Sequence, residues 1–297
     1  MAAINTEVLA QLSSTPLKES IPAEALQDAL SRPPFIALPG SFNVRDVGAY
    51  SAGYVKPRVI FRSGMLDNIP EASWPILRSE LGLSKIYDFR RADEVKVPLC
   101  NTDGIEVISC PYNDGSKDAP EFLSAVFAIS DSAAVDKAYS DLYDVILKGH
   151  LSGYKQVFEK LKTAKEDDAV LYHCTAGKDR TGIMTALIFD LVGAPNEVIV
   201  NEYALTRIGL EPHREKFLPH IIKSYGKDRS VINPDGTPSE EVIDKLSHLL
   251  GSYKEVMAAF LERLKEEYGG AEGYMKNHLG LSDDDINEIR TNLKPSA

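Results

Sequence analysis

The sequence has few cysteines, three in 297 residues. So small and odd a number in a chain of this length does not form a disulfide framework, which excludes a small disulfide-stapled secreted domain and favours a reducing compartment. Residues 1–12 lack the basic region and the continuous apolar run of a secretory signal. The most apolar stretch, residues 183–194, contains Asp190 and is shorter than the roughly 20 residues that cross a membrane. We therefore expect a cytoplasmic protein with no integral membrane segment.

The sequence also has fewer basic than acidic residues. It contains 33 Lys and Arg residues and 44 Asp and Glu residues, which gives a formal net charge of −11. Such a surface repels polyanions, so nucleic acid is not an expected partner. The six histidines lack the spacing of metal ligands, so we expect no metal and no cofactor. With 43% hydrophobic and 26% charged residues, the composition is that of an ordinary globular protein.

The order of apolar patterns predicts an α/β fold. Short apolar runs between Gly, Pro and Asp clusters are typical of strands, and they occur at residues 59–61, 85–87, 106–108 and 169–172. Other runs repeat at three- and four-residue steps and predict helices at residues 135–147, 181–191, 253–264 and 282–293. We therefore predict a central sheet flanked by helices, with extra C-terminal helices.

Prolines set apart the N-terminal segment. Pro16, Pro22, Pro33 and Pro34 punctuate residues 1–34 and leave room for one or two short helical pieces. We interpret residues 1–34 as an N-terminal arm and residues 35–297 as a single domain, a length that one hydrophobic core can still fill.

One segment between a predicted strand and a predicted helix carries an unusual combination of residues. Residues 173–182 read His-Cys-Thr-Ala-Gly-Lys-Asp-Arg-Thr-Gly, with Cys174 and Arg180 six residues apart. Under independence, this combination would arise by chance on the order of once in a million. Neither Cys100 nor Cys110 has an arginine six residues later. The motif therefore indicates chemistry at Cys174.

The spacing of this segment suits a phosphate group. A strand-to-helix loop of this length can turn its backbone N–H groups inward, and the following helix adds the positive end of its dipole. We expect the phosphate to be bound by Thr175, Ala176, Gly177, Lys178, Asp179 and Arg180. The Arg180 guanidinium can fork two N–H donors onto phosphate oxygens. The same surroundings favour a thiolate at Cys174, which would attack the phosphorus and form a phosphocysteine that water then hydrolyses.

Two neighbouring residues are expected to support this chemistry. His173 is interpreted as a residue that orients the loop and stabilises the thiolate, not as the general base. Thr181 can donate its hydroxyl to the sulfur when the thiolate leaves, and a helix N-cap is an equally good interpretation of this residue.

The loop resembles the phosphate-binding loop of cysteine-dependent phosphatases. It is similar in particular to that of the tyrosine-phosphatase family that contains bacterial triple-specificity enzymes and many fungal relatives. Other segments also resemble motifs of that family: Phe-Asn-Val-Arg-Asp-Val-Gly at 42–48, Phe-Arg-Ser-Gly at 61–64, Tyr-Asp-Phe-Arg at 87–90, Glu-Tyr-Ala-Leu-Thr at 202–206 and Leu-Gly-Leu at 279–281. The likeness extends loosely over residues 35–293 and departs from the family pattern at Val44, Val47 and Ala49.

This resemblance implies a tyrosine-phosphatase-like fold and hydrolysis of phosphomonoesters, with residues 207–225 as a lid over the site. The substrate would be phosphotyrosine, with phosphoserine, phosphothreonine or a phosphoinositide as further classes, so the expected partners are a phosphorylated protein, a phosphoinositide or a small phosphomonoester. Two alternatives stay open: a metabolite phosphatase with the same mechanism, and a catalytically inactive phosphate-binding module.

Departure of the leaving group requires a proton, so a carboxylic acid is expected near the loop. The first choice is Asp179 within the loop, which could equally be an ion-pair partner of its neighbours. The alternative general acid is Asp88, at the end of a predicted strand. Asp141 and Asp144 lie 33 and 30 residues before Cys174, but the helical pattern puts them on a solvated polar face.

Two interpretations are open for Lys178 and also for the two other cysteines. Lys178 would add positive charge to the rim of the site, or would be a solvated lysine. Cys100 or Cys110 could form a protective disulfide with Cys174 under oxidation, although packing in the core is the simpler role for both.

Overall fold

Five short strands form one mixed sheet. The computed structural model describes residues 4–51, 53–99, 102–112, 132–214 and 251–295, with side chains from residue 138 in the fourth range. In chain order the strands are β1 (Arg45–Asp46), β2 (Ile60–Ser63), β3 (Leu83–Asp88), β4 (Glu106–Ser109) and β5 (Ala169–His173). Their spatial order is β1-β2-β5-β3-β4, with β1 antiparallel to β2 and the remaining pairs parallel.

The four parallel strands end at one edge of the sheet. β5 lies between β2 and β3, and His173 is in register with Ser63 on one side and Asp88 on the other. The residues that follow these strands are therefore brought together, as expected of ligand sites in α/β proteins.

Helices supply most of the remaining structure. Those described are α1 (Thr6–Ser13), α2 (Ala23–Leu30), α3 (Val47–Tyr50), α4 (Ser132–Gly149), α5 (Leu151–Leu161), α6 (Asp179–Leu191), α7 (Asn196–Ala204), α8 (Thr206–Leu210), α9 (Lys254–Tyr268), α10 (Gly270–Asn277) and α11 (Asp283–Leu293). Shorter helical turns occupy Glu71–Ser73, Ile76–Glu80 and Glu211–His213. Within the described ranges, no helix combines the length and the apolar character that crossing a membrane requires.

The two faces of the sheet pack differently. Alternate residues of a strand point to opposite faces, so Val170 and Tyr172 join one apolar cluster while Ala169 and Leu171 join another. The first cluster is built mainly with α4, α5, α6 and the C-terminal helices. The second is closed by residues 66–81, which include the buried Trp74. The predicted α/β fold, a central sheet flanked by helices with further C-terminal helices, is confirmed.

Local sequence signals account for most of these elements. Strands appear at the four predicted places, and the helix predicted at 181–191 begins two residues earlier, at Asp179. The side chain of Ser282 accepts a hydrogen bond from the backbone of Asp285, whose carboxylate in turn accepts from Ser282, so a capping box starts α11.

The N-terminal arm folds onto the helix that follows α7. Apolar residues of α1 and α2 pack with Leu205 and Ile208. The buried Arg207 donates hydrogen bonds to the carbonyl oxygens of Thr15, Pro16 and Glu19. The arm contains two short helices, as the prolines allow, and the division into an arm and one domain stays a prediction.

Candidate active site

Cys174 lies at the carboxyl end of the central parallel strand. β5 ends at His173, and α6 begins at Asp179, so residues 174–178 form the connecting loop. Cys174 is buried, with 2% of its surface exposed, and has no disulfide partner. The loop and helix are therefore arranged as the sequence predicted.

The loop turns its carbonyl groups outward. The Thr175 carbonyl accepts from the backbone N–H of Met65, and the Ala176 and Gly177 carbonyls both accept from Nδ2 of Asn43 at 3.1 Å. Within a planar trans peptide, the carbonyl and the next N–H point in opposite directions. The N–H groups of residues 176, 177 and 178 consequently point toward the inside of the loop, which is the arrangement that binds an anion.

Glycine is required at one position of this loop. Gly177 has φ of 66°, and a Cβ there would lie 2.3 Å from the carbonyl oxygen of Ser63 at the end of β2. The loop therefore packs directly against the backbone of the neighbouring strand, which only a residue without a side chain allows.

A buried ion cluster supports the loop from below. Glu202 of α7 binds Arg45 through Oε1, at 2.6 Å from Nε, and binds Nη1 of Arg62 through Oε2. Nη2 of Arg62 donates to the Gly177 carbonyl at 2.8 Å. Burial and the nearby Arg62 lower the pKa of Arg45 to about 10. The family motifs at 42–48, 61–64 and 202–206 contain these residues, but their pattern did not reveal that they meet beneath the loop.

The Arg180 guanidinium is fixed by three hydrogen bonds. Nη1 donates to Oε2 of Glu94 at 2.6 Å and to the Phe89 carbonyl at 3.1 Å, and Nη2 donates to Oε1 of Glu94 at 2.8 Å. None of the hydrogen bonds described for Arg180 uses Nε. The edge formed by Nε–H and the second Nη2–H thus remains as a fork of the kind that binds two phosphate oxygens.

Glu94 is a site residue that the sequence reasoning missed. Its Oε1 also accepts from the Thr175 hydroxyl at 2.6 Å. Burial alone would raise the pKa of Glu94, but its hydrogen bonds with Arg180 and that positive charge outweigh burial and hold the pKa at about 2. Glu94 is one of 44 acidic residues and lies 80 residues before the loop's first residue, Cys174, so no local pattern distinguished it.

Asp179, the first residue of α6, meets the loop from the helix side. Its Oδ1 accepts a hydrogen bond from the hydroxyl of Tyr143 at 2.8 Å and lies 3.7 Å from Nζ of Lys178. The side chain is 31% exposed. A carboxylate at this place can exchange a proton with a bound molecule.

Asp88 lies on the sheet side of the loop, and its carboxylate is paired with Arg90. Its oxygens accept from the backbone N–H, Nε and Nη2 of Arg90 at 2.8–3.1 Å, and Arg90 also binds Asp67. The side chain is 8% exposed. Burial raises the pKa of Asp88, but His173 and Arg90 together outweigh burial, so the net pKa is below its ordinary value. These contacts favour a structural role over that of an acid.

His173 and Thr181 are buried beside the cysteine. Nδ1 of His173 donates to the Cys174 carbonyl at 3.2 Å, which suits a residue that orients the loop. Burial lowers the pKa of His173. Thr181 is the third residue of α6, so its interpretation as an N-cap is wrong. Its buried hydroxyl has no hydrogen-bond partner among the described residues.

Two expectations about charged side chains were wrong. Lys178 does not stand at the rim or in solvent: its side chain is 4% exposed, and Nζ lies 3.2 Å from the Tyr139 hydroxyl and above the ring of the same residue. Asp144 is buried and accepts a hydrogen bond from Tyr268, whereas Asp141 is exposed as expected. Both aspartates bind Arg263 of α9, so they join helices instead of serving the loop.

Parts of two other expectations lie outside the described residues. These parts are Cys100 and residues 215–225 of the expected lid. Cys110 is buried at the end of β4, where its backbone N–H donates to the Asp88 carbonyl and burial raises its thiol pKa to about 12.

The sequence of the chain is similar to those of several known proteins. The profile of the tyrosine phosphatase family matches residues 36–294. A tyrosine-protein phosphatase of Nostoc commune is 36% identical over 146 residues, which are 47% of this chain and 44% of that protein. The triple specificity protein phosphatase PtpB of Mycobacterium tuberculosis is 27% identical over 274 residues, 85% of this chain and 96% of that protein. The chain therefore spans less than half of the first relative and nearly all of the second.

Proposed function

The chain belongs to the tyrosine phosphatase family of enzymes, and on that premise we propose that it hydrolyses phosphomonoesters through a phosphocysteine formed on Cys174. The proposed substrate is phosphotyrosine, because one relative is named a tyrosine-protein phosphatase and another a triple specificity protein phosphatase. Phosphoserine, phosphothreonine and phosphoinositides are the further classes to test.

One observation carries the proposal: Cys174 begins a loop whose Thr175, Ala176 and Gly177 carbonyls are turned outward, and the Nε–H edge of Arg180 makes none of the described hydrogen bonds. The inward N–H groups, the start of α6 and Arg180 together supply donors for the oxygens of a phosphate dianion. These donors hold the charge that develops on the phosphoryl oxygens during transfer, without reorganisation.

In the first step, Sγ of Cys174 attacks the phosphorus in line with the ester oxygen. The S–P bond forms, the P–O bond to the alcohol or phenol breaks, and Asp179 gives its proton to the departing oxygen. In the second step, water attacks the phosphocysteine, Asp179 takes the proton of that water, and the S–P bond breaks. The Thr181 hydroxyl donates to the departing thiolate, and inorganic phosphate leaves.

The test is hydrolysis of p-nitrophenyl phosphate in the presence of a chelator. We expect turnover in the native protein, loss of turnover in Cys174→Ser, and retention in Cys110→Ser, since both cysteines are buried but only Cys174 lies in the loop. Undiminished turnover in Cys174→Ser, or a requirement for a divalent ion, would overturn the mechanism.

A substrate panel tests the proposed specificity. The specificity constant for a phosphotyrosine peptide is expected to exceed those for phosphoserine peptides, phosphoinositides and small metabolite phosphates. A metabolite phosphate as the best substrate would contradict the proposed class and leave the mechanism intact.

A further inference from the structure

Among the described site residues, Asp179 is the carboxylate for which a hydrogen bond from a tyrosine hydroxyl is seen. The hydroxyl of Tyr143 in α4 lies 2.8 Å from Oδ1 of Asp179, and the hydroxyl of Tyr203 in α7 lies 2.7 Å from that of Tyr143. Both tyrosines are buried, at 0% and 1% exposure. Three elements thus meet in one chain of hydrogen bonds that ends on the proposed acid.

The chemistry of the groups sets the direction of this chain. An ionised carboxylate can only accept hydrogen bonds, so Tyr143 donates its single hydroxyl proton to Asp179. Tyr143 can then only accept from Tyr203, which makes Tyr203 the first donor. Burial, followed by the charge of Asp179, raises the pKa of both tyrosines well above the ordinary value, so both stay neutral. The hydroxyls therefore hold the carboxylate and do not carry protons away.

We propose that Tyr143 and Tyr203 are positioning residues that hold Oδ1 of Asp179 and so leave Oδ2 as the oxygen that carries the transferred proton. The inference rests on the proposed function. The contacts described for the Asp179 carboxylate, with Tyr143 and Lys178, both involve Oδ1. A single free oxygen on a fixed carboxyl group presents the proton in one direction, and such orientation is worth more in rate than in binding.

The surrounding packing fixes the first tyrosine. The ring of Tyr143 makes edge contacts with Tyr139, Tyr203 and Phe260, at centroid distances of 6.0, 6.5 and 5.6 Å. Aromatic rings packed edge to face have few alternative orientations. The acid is thus held by helices, without a mobile loop carrying it.

The titratable groups that face Asp179 come from its own loop and from two helices. They are Lys178, Arg180, Tyr139, Tyr143 and Tyr203. The Tyr143 hydroxyl donates to Oδ1 of Asp179, and a hydrogen bond donated to a carboxylate favours its charged form. Removing the Tyr143 hydroxyl therefore favours the protonated acid and moves the alkaline limb of the pH profile of kcat/KM to higher pH.

The experiment compares Tyr143→Phe and Tyr203→Phe with Tyr268→Phe. Tyr268 is a matched control, because its buried hydroxyl also donates to an aspartate, Asp144, away from the loop. In Tyr143→Phe we expect about a tenfold loss of kcat on an alkyl phosphate, a loss within about twofold on p-nitrophenyl phosphate, and an alkaline limb shifted upward by about one pH unit. Tyr203→Phe should change the same quantities in the same direction by less, and Tyr268→Phe should lower thermal stability only.

The outcomes separate the two proposals. No metal-independent turnover in the native protein would overturn the proposed function. Turnover with an unaltered leaving-group dependence in Asp179→Asn would overturn Asp179 as the acid, and with it this inference. Equal losses on both substrates in Tyr143→Phe, with no shift of the pH profile, would reduce the tyrosines to a structural role while leaving the proposed function in place.

Discussion

Two aspartates approach the same loop from opposite sides, and their surroundings differ. On the sheet side, Arg90 binds Asp88 through three N–H groups, and Arg180 binds Glu94 through two. On the helix side, Asp179 receives a neutral tyrosine hydroxyl and keeps nearly a third of its side chain exposed.

This difference shows how one residue type acquires two roles. A carboxylate that is buried against a guanidinium is held in its ionised form, so it is a poor proton donor. Asp179 is partly exposed, accepts from a hydroxyl and has its cation, Nζ of Lys178, at the longer distance of 3.7 Å, so it can take up and give back a proton. In the proposed mechanism, the sheet side therefore builds the phosphate site, and the helix side supplies its acid and base.

Neutralising each aspartate in turn should have its largest effect on activity. Asp179→Asn should lower kcat/KM for an alkyl phosphate about 10²–10⁴-fold and remove the alkaline limb of the pH profile, because an amide is too weakly acidic to protonate the leaving group. The same variant should largely spare p-nitrophenyl phosphate. If Asp88→Asn showed this leaving-group dependence and Asp179→Asn did not, the two roles would have to be exchanged.

Stability should follow the opposite order. Asp88→Asn leaves Arg90 partly unpaired in a buried place and should lower the free energy of unfolding by about 3–5 kcal/mol. Asp179→Asn, at a partly exposed helix start, should lower it by about 1 kcal/mol or less. Urea titrations followed by fluorescence of the single Trp74 measure both values. Equal losses in the two variants would contradict the assignment of Asp88 as the structural carboxylate.

Glu94 tests whether the sheet side serves binding. Glu94→Gln removes the charge that fixes Arg180, so we expect the inhibition constant of inorganic phosphate to rise about tenfold, with a smaller change in kcat. Glu71→Gln, an exposed glutamate on a short helical turn, is the control. A lower inhibition constant would instead mean that the Glu94 carboxylate competes with phosphate for Arg180.

The smallest effect concerns acid stability. Because the pKa of Glu94 is lowered to about 2 in the folded protein, its contribution is complete above the unfolded value near 4.3 and is lost as pH falls toward 2. The difference in unfolding free energy between the native protein and Glu94→Gln should therefore be constant from pH 7 to 5 and shrink by about 1 kcal/mol by pH 3. A difference that grew with falling pH would show that Glu94 is not held ionised by Arg180.

Much of the fold could be read from local patterns. The strand at residues 169–172, the helix from about 181 and the capping box at Ser282 each depend on residues close in sequence. The same holds for the loop, because Cys174 and Arg180 are only six positions apart. The N-cap of α6 is Lys178, three residues before Thr181, so the N-cap interpretation of Thr181 failed by a short distance at a helix end, where local sequence specifies the boundary weakly.

Local patterns were enough to predict the loop, its cysteine and arginine, and the order of strands and helices around them, because periodicity and turn chemistry depend on residues close in sequence. Three contacts depend instead on tertiary packing: Glu94 with Arg180, Lys178 with Tyr139, and Asp179 with Tyr143. These partners are brought together by the parallel strands that end at one edge and by helices packed over them. The protonation of a carboxyl group depends on such spatial neighbours, and residues far apart in sequence give no local pattern that identifies them.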